Sequence, residues 1–248
     1  MKVAAAPQRS DRSRSLVRVV VWSTSIAAAI GLLSAVLFAA AAEFELSRIL
    51  EPAGMLGSGS SAGGLFRWAA LADMFGYYLL LIPLFVATGW AVRGPGPSIA
   101  DLATIAALAY ALIGGTTAVA LAFGAPPLLE AYLEASEADR PGLRLAFMVL
   151  TDVAYRGIWQ MLDMLLIGTW ALMTALALRL RRNRAAAAGI GLGVMSFIAA
   201  FVRAAEIEAG TGLALVLAGL WGIAFWLYVG WWTILLACDP SIDLPERE

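Results

Sequence analysis

Residues 19 to 42, VVVWSTSIAAAIGLLSAVLFAAAA, contain no charged side chain. A helix needs about 20 apolar residues to cross the ~30 Å hydrocarbon core of a bilayer, and this stretch exceeds that length. A basic segment precedes it, with Lys2, Arg9, Arg12, Arg14 and Arg18. The stretch therefore predicts a membrane-spanning helix near the amino terminus.

The same start also resembles a secretory signal peptide, because the arginine-rich segment and apolar run end in the small residues of AAAAE at 39–43. The apolar core of a cleavable signal is typically about 7 to 15 residues long, which is shorter than this run. A helix that is retained in the protein is therefore the favoured interpretation.

Five further stretches are long and apolar enough to span a bilayer, interrupted only by Asp73 and Asp163. They cover about 68–92, 102–123, 157–178, 185–202 and 211–238. The composition agrees, since 61% of the residues are hydrophobic and 14% are charged, against roughly 25% charged in a soluble domain. The sequence predicts an all-α, polytopic membrane protein with six transmembrane helices.

Loop charges predict the orientation of the six helices. Basic residues concentrate before the first span and in the turn after the fourth, at Arg179, Arg181, Arg182 and Arg184. Such loops lie in the cytoplasm, so we expect both termini inside and a location in a bacterial cytoplasmic (inner) membrane. Residues 1–18 then form a basic cytoplasmic segment, 19–238 the membrane domain, and 239–248 an acidic cytoplasmic tail.

Acidic residues concentrate in the loops on the opposite side. In PPLLEAYLE at 126–134, leucines and glutamates alternate at helical spacing, which predicts a short amphipathic helix on the outer surface between spans three and four. The expected outer acidic surface comprises Glu43, Glu45, Glu130, Glu134, Glu206 and Glu208. It is either a solvated face or a surface for a weakly bound cation or a partner protein.

Ionisable side chains within the spans are the main candidates for function, because charge at the bilayer centre is costly. At about 100° per residue, Asp152, Arg156 and Asp163 fall within about 40° of one another, with Gln160 bordering them. Two interpretations stay open. Arg156 pairs with Asp152 or Asp163, and Arg67 with Asp73, as structural ion pairs. Alternatively, an outward-facing cavity that takes a polar ligand, cation or proton is lined by Asp73, Tyr77, Asp152, Arg156, Gln160 and Asp163.

Two other patterns concern packing. Ala185, Gly189 and Gly193 recur at four-residue spacing, which lets a neighbouring helix approach closely, either within the chain or in a second copy. Most tryptophans, Trp159 among them, lie near the ends of predicted spans, as interfacial anchors do.

The absence of histidine excludes whole classes of site. The chain cannot supply an imidazole to haem, chlorophyll or a metal ion, and it has no histidine base for a catalytic triad. Cys238 is the only cysteine, so an intrachain disulfide is excluded. No cofactor, metal site or nucleic-acid partner is predicted; a lipid, quinone or pigment bound without histidine stays open.

The plan of six hydrophobic helices in about 240 residues, with a basic inner turn between spans four and five, resembles small bacterial membrane proteins grouped as domains of unknown function. The expected function is that of a non-enzymatic structural or accessory membrane protein, as a homo-oligomer or as a subunit of a larger complex. The alternative is a small transporter or ligand-binding membrane protein with a polar cleft on helices two and four.

Overall fold

The computed structural model describes residues 11–45, 48, 52–59, 61–93, 97–178, 183–209 and 213–238. Six helical stretches in these residues are long and apolar enough to cross a membrane, which confirms an all-α architecture with six candidate membrane spans. They are Arg14–Ala41, Ala62–Val92, Pro97–Glu134, Arg140–Leu178, Ala185–Ala205 and Val216–Cys238. The predicted acidic tail and most of the basic amino-terminal segment lie outside the described residues, as do Arg179, Arg181, Arg182 and the side chain of Arg184.

Helix α1, Asp11–Ala41, ends in a turn with two left-handed residues, Glu43 at φ 56° and Phe44 at φ 57°. The Phe44 N–H donates to the Ala39 carbonyl at 2.7 Å, which caps the last turn of the helix. A short 3₁₀ helix, Pro52–Gly57, follows before the second span begins.

The second span is a helix interrupted near its middle. It consists of α2 (Ala62–Asp73), a π-helical turn (Met74–Tyr78), a 3₁₀ turn (Leu79–Leu81) and α3 (Ile82–Val92). Pro83 has no N–H to give to Leu79, and the Ile82 N–H donates to that carbonyl instead. The helix therefore changes its winding and continues without leaving this carbonyl unpaired.

The third and fourth spans are both longer than the sequence predicted. The third is α4, Pro97–Glu134, and the fourth comprises α5 (Arg140–Thr151), a π-helical segment (Asp152–Leu162) and α6 (Asp163–Leu178). The prediction of a separate outer helix at 126–134 is not met, because these residues form the last turns of α4.

Helix α4 continues through Pro126 because a side chain replaces the missing backbone donor. Proline has no N–H, so Pro126 leaves the carbonyl of Ala122 without its helical partner. Arg67 Nε donates to this carbonyl at 3.3 Å. A residue of α2 thus caps a carbonyl in the middle of α4.

The last two spans are α7 (Asn183–Ala209) and α8 (Leu213–Cys238). The small residues of α7 pack within the chain: a methyl group added at Gly189 would lie 2.8 Å from Ala175 Cβ, and one at Gly193 would lie 3.1 Å from the carbonyl of Gly168. Ala185 on the same helix is buried. This face therefore contacts α6.

Candidate functional site

A cavity of about 300 Å³ lies between α1, the interrupted middle of the second span and the π-helical segment of the fourth. It is lined by Ser34, Ala35, Phe38, Ala39, Ala42, Arg48, Met55, Asp73, Tyr77, Tyr155 and Trp159. The space exists because α1 presents three alanines on this side. Ligand-binding cavities in proteins span roughly 300–1,000 Å³, so this one has room for a small organic molecule.

The carboxylate of Asp73 lies at one end of the cavity. Ser34 Oγ donates to the carbonyl of Ala69 at 3.0 Å and approaches Asp73 Oδ1 at 3.5 Å. None of the ion pairs found among the described residues includes Asp73. Arg67, the partner considered from the sequence, donates to α4 instead. The cavity therefore ends in a carboxylate that no basic side chain of the described residues pairs.

Aromatic rings form much of the cavity wall. Phe38 from α1 meets Tyr155 and Trp159 edge to face, with ring centroids 6.1 Å away in each case, and the last two rings are 4.9 Å apart. Trp159 Nε1 also points to the carbonyl of Gly114 at 3.5 Å. Tyr77, from the second span, packs edge-on against Trp226 of α8 at 5.4 Å.

Both π-helical segments contribute to this wall. Met74–Tyr78 carries Tyr77, and Asp152–Leu162 carries Tyr155 and Trp159. Irregular winding of this kind occurs frequently at functional sites, because it changes the direction in which side chains leave the helix. Here it brings aromatic residues of two spans to one cavity.

Arg48 and Met55 line the cavity from the connection between the first two spans. Arg48 forms ion pairs with Glu43 and with Glu45, the latter at 2.9 Å between Nε and Oε2, and Glu43 Oε1 accepts the N–H of Gly59 at 2.9 Å. The Gly59 N–H, and after it Arg48, hold the pKa of Glu43 below its ordinary value. The positive charge at this end is therefore shared between two carboxylates.

Asp163 does not lie in the cavity. Its side chain is buried, and its Oδ2 accepts a 2.7 Å hydrogen bond from the hydroxyl of Tyr78. Its Oδ1 has no hydrogen-bond partner in the part of the chain that the structure describes. Asp163 thus joins the second and fourth spans instead of meeting Arg156.

The predicted single stripe of Asp152, Arg156, Gln160 and Asp163 is wrong in detail, because it assumed α-helical winding. Residues 152–162 are π-helical, and their wider turns shift Asp163 away from the face that carries Asp152. Arg156 Nε lies 3.3 Å from Asp152 Oδ1, and both side chains are over a third exposed. Gln160 is partly buried, its Oε1 has no partner among the described residues, and it does not line the cavity.

The predicted acidic surface is divided in the structure. Glu43 and Glu45 hold Arg48, Glu130 lies beside Gly63 at the start of α2, and Glu134 is exposed at the end of α4. The side chains of Glu206 and Glu208 lie outside the described residues. Within the described part of the chain, no three acidic or cysteine side chains are grouped to hold a metal ion.

Several residues of the site escaped the sequence analysis. Ser34, Phe38 and Arg48 stand in or beside apolar segments without a motif, and Tyr78 differs from its neighbour Tyr77 only in the direction that the π-helical turn gives it. Trp159, expected to be an interfacial anchor, lines the cavity. The directions of Tyr78 and Trp159 depend on π-helical turns, which sequence periodicity does not show.

Fold and site together define a multi-pass, all-α membrane protein with an internal cavity that ends at a carboxylate. No protein-family profile, curated protein or solved structure matches the chain.

Proposed function

We propose that this protein is a small transporter or ligand-binding membrane protein, and that its ligand occupies the cavity between the first, second and fourth spans. The observation that carries the proposal is Asp73. Charge within a bilayer is unfavourable by about 2.5–3.5 kcal/mol on insertion scales, and no basic residue among those described offsets it here. A carboxylate that lines a cavity of ligand size can bind a ligand, whereas without a basic partner it does little to hold the helices together.

The cavity extends along α1 from Ala42 at the end of the helix to Ser34, about two helical turns into the bundle. The distribution of basic residues supports a topology with Ala42 on the outside, and in this proposed topology the cavity faces out of the cell. In this arrangement a ligand enters past Arg48 and Met55 and reaches Asp73 and Tyr77.

A structural or accessory role within a larger membrane complex is the second candidate. It is favoured by the buried hydrogen bond between Tyr78 and Asp163, which connects two spans outside the cavity. In that role the polar side chains hold the helices together and the partners of the protein are other membrane subunits or a second copy.

Thiol labelling tests whether the cavity is open to water. In a Cys238→Ser background, Ala39→Cys places a thiol in the cavity, and Val36→Cys places one within a turn of it along the same helix, on an exposed side chain that does not line the cavity. A water-soluble maleimide should label the Ala39→Cys protein at least about tenfold faster, because a thiol in apolar surroundings rarely ionises. Equally slow labelling of both variants would show that the cavity is closed and would refute the proposal.

A further inference from the structure

We propose that the ligand of this cavity is an organic cation, a protonated or quaternary amine or a similar onium ion with apolar substituents. The inference rests on the proposed function and adds the chemical class of the ligand. Three features of the cavity support the inference: its charge, the arrangement of its aromatic rings and its small number of oxygen atoms that could act as metal ligands.

The balance of charge around the cavity is negative. Asp73 lines it without a basic partner in the described chain, and the other charged lining residue, Arg48, is bound by Glu43 and Glu45. The lining itself therefore carries one carboxylate and one guanidinium, and the charge of that guanidinium is offset by Glu43 and Glu45 from outside the lining. An anionic ligand would be repelled by Asp73, whereas a cation would neutralise a charge that is otherwise costly to bury.

The aromatic wall suits a cation with an apolar surface. The rings of Phe38, Tyr155 and Trp159 meet edge to face at interplanar angles of 66° to 77°, so each contact covers one ring face and at least three of their six faces are not covered by one another. Faces of aromatic rings attract cations electrostatically, and they also pack against alkyl or aryl substituents. Tyr77 adds a fourth aromatic residue to the lining beside Asp73.

A metal cation fits the same site poorly. Calcium requires six to eight oxygen ligands, and magnesium requires a nearly octahedral set. The lining offers one carboxylate and the hydroxyls of Ser34, Tyr77 and Tyr155, and the Ser34 hydroxyl donates to the carbonyl of Ala69. These side-chain oxygens are fewer than six. A large cation with delocalised or shielded charge needs no such ligand set, because ring faces and one carboxylate suffice.

A pair of ions of similar size and opposite charge, each small enough for the cavity, tests the inference. The Cys238→Ser, Ala39→Cys protein is placed in phosphatidylcholine nanodiscs and labelled with an uncharged maleimide, with phenyltrimethylammonium or benzenesulfonate present. Phenyltrimethylammonium should slow the labelling at least about tenfold, equivalent to about 1.4 kcal/mol, while benzenesulfonate should change it by less than about twofold. Adding Asp73→Asn should abolish the protection, and adding Asp152→Asn, outside the cavity, should preserve it.

Each other result has a defined meaning. The assignment of an organic cation would be overturned if both ions protected the thiol equally, if neither ion protected it, or if protection survived Asp73→Asn. Rapid labelling of the thiol without ions would still support the cavity as a ligand site. Absence of labelling without any ion would refute the cavity itself and both proposals. The labelling rate of the Asp73→Asn protein without ions, together with its size-exclusion profile, shows whether that variant is folded.

Discussion

The hydroxyl of Tyr78 donates a 2.7 Å hydrogen bond to Asp163 across the contact between the second and fourth spans. Its neighbour Tyr77 lines the cavity that ends at Asp73. One π-helical turn, Met74–Tyr78, therefore carries adjacent tyrosines of which one contacts the fourth span and the other lines the cavity. The interhelical bond holds the second span against the fourth, and that contact positions the walls of the cavity.

Removing this hydroxyl should destabilise the fold. Tyr78→Phe leaves a buried carboxyl group without its donor, which lowers the free energy of unfolding by about 1–3 kcal/mol. Equilibrium unfolding in mixed micelles measures the change. Tyr155→Phe is the matched control, since the hydroxyl of Tyr155 makes no hydrogen bond with the described residues; we expect a change below about 0.5 kcal/mol there. Equal losses in both variants would contradict the role of the bond.

Two adjacent glycines of α4 should respond differently to alanine. A methyl group at Gly114 would overlap the ring of Tyr78, whereas one at Gly115 would lie 3.6 Å from the nearest atom, Tyr78 Cβ. Gly114→Ala should therefore cost about 1–3 kcal/mol of unfolding free energy through overpacking. Gly115→Ala should be neutral, or stabilising by up to about 1 kcal/mol, because alanine favours the helix. The same unfolding assay compares them, and an equal effect would mean that Tyr78 is not packed on Gly114.

The cap that Arg67 provides should depend on Pro126. Arg67→Met removes the donor to Ala122 and should cost about 1 kcal/mol or more, whereas in a Pro126→Ala background a backbone N–H can take over that carbonyl. A double-mutant cycle should give a coupling of about 0.5–3 kcal/mol. Pro127→Ala is the control, because it affects the carbonyl of Phe123 instead. The same penalty for Arg67→Met in all three backgrounds would refute the cap.

The turn that carries Glu43 should open in acid. The pKa of Glu43 is lowered from its ordinary 4.5 because the carboxylate accepts the Gly59 N–H and pairs with Arg48. A lowered pKa means that these contacts stabilise the turn above about pH 4.5 and are lost as the pH falls through the folded value. Hydrogen exchange of the Gly59 amide, corrected for its intrinsic rate, should lose protection between about pH 6 and pH 3.

Glu43→Gln should remove this pH dependence, and Glu134→Gln, on an exposed residue at the end of α4, should keep it. Protection of the Gly59 amide that stays constant across the same range in the unmodified chain would show that the carboxylate does not hold the turn.

The six spans were predictable because bilayer thickness sets a length that uninterrupted apolar stretches reveal. Asp73 and Tyr77 were named from the sequence as candidate site residues in the second span, and the structure places both at the cavity. The position of Asp163 could not be predicted, since π-helical winding over 152–162 changes the direction of its side chain. No residue pattern in the sequence indicates such winding. The continuation of α4 through two prolines was equally hidden, because one of the freed carbonyls is capped by Arg67, which is 55 residues away in the sequence.

The central claim is that the cavity around Asp73 holds a small ligand. Native mass spectrometry of the chain, released from mild detergent, tests it most directly, because the same spectrum shows bound small molecules and bound protein subunits. We expect a small-molecule adduct of cationic character that is absent from the Asp73→Asn protein and present in the Asp152→Asn protein. Stoichiometric protein partners without any adduct that depends on Asp73 would contradict the claim and favour the accessory role.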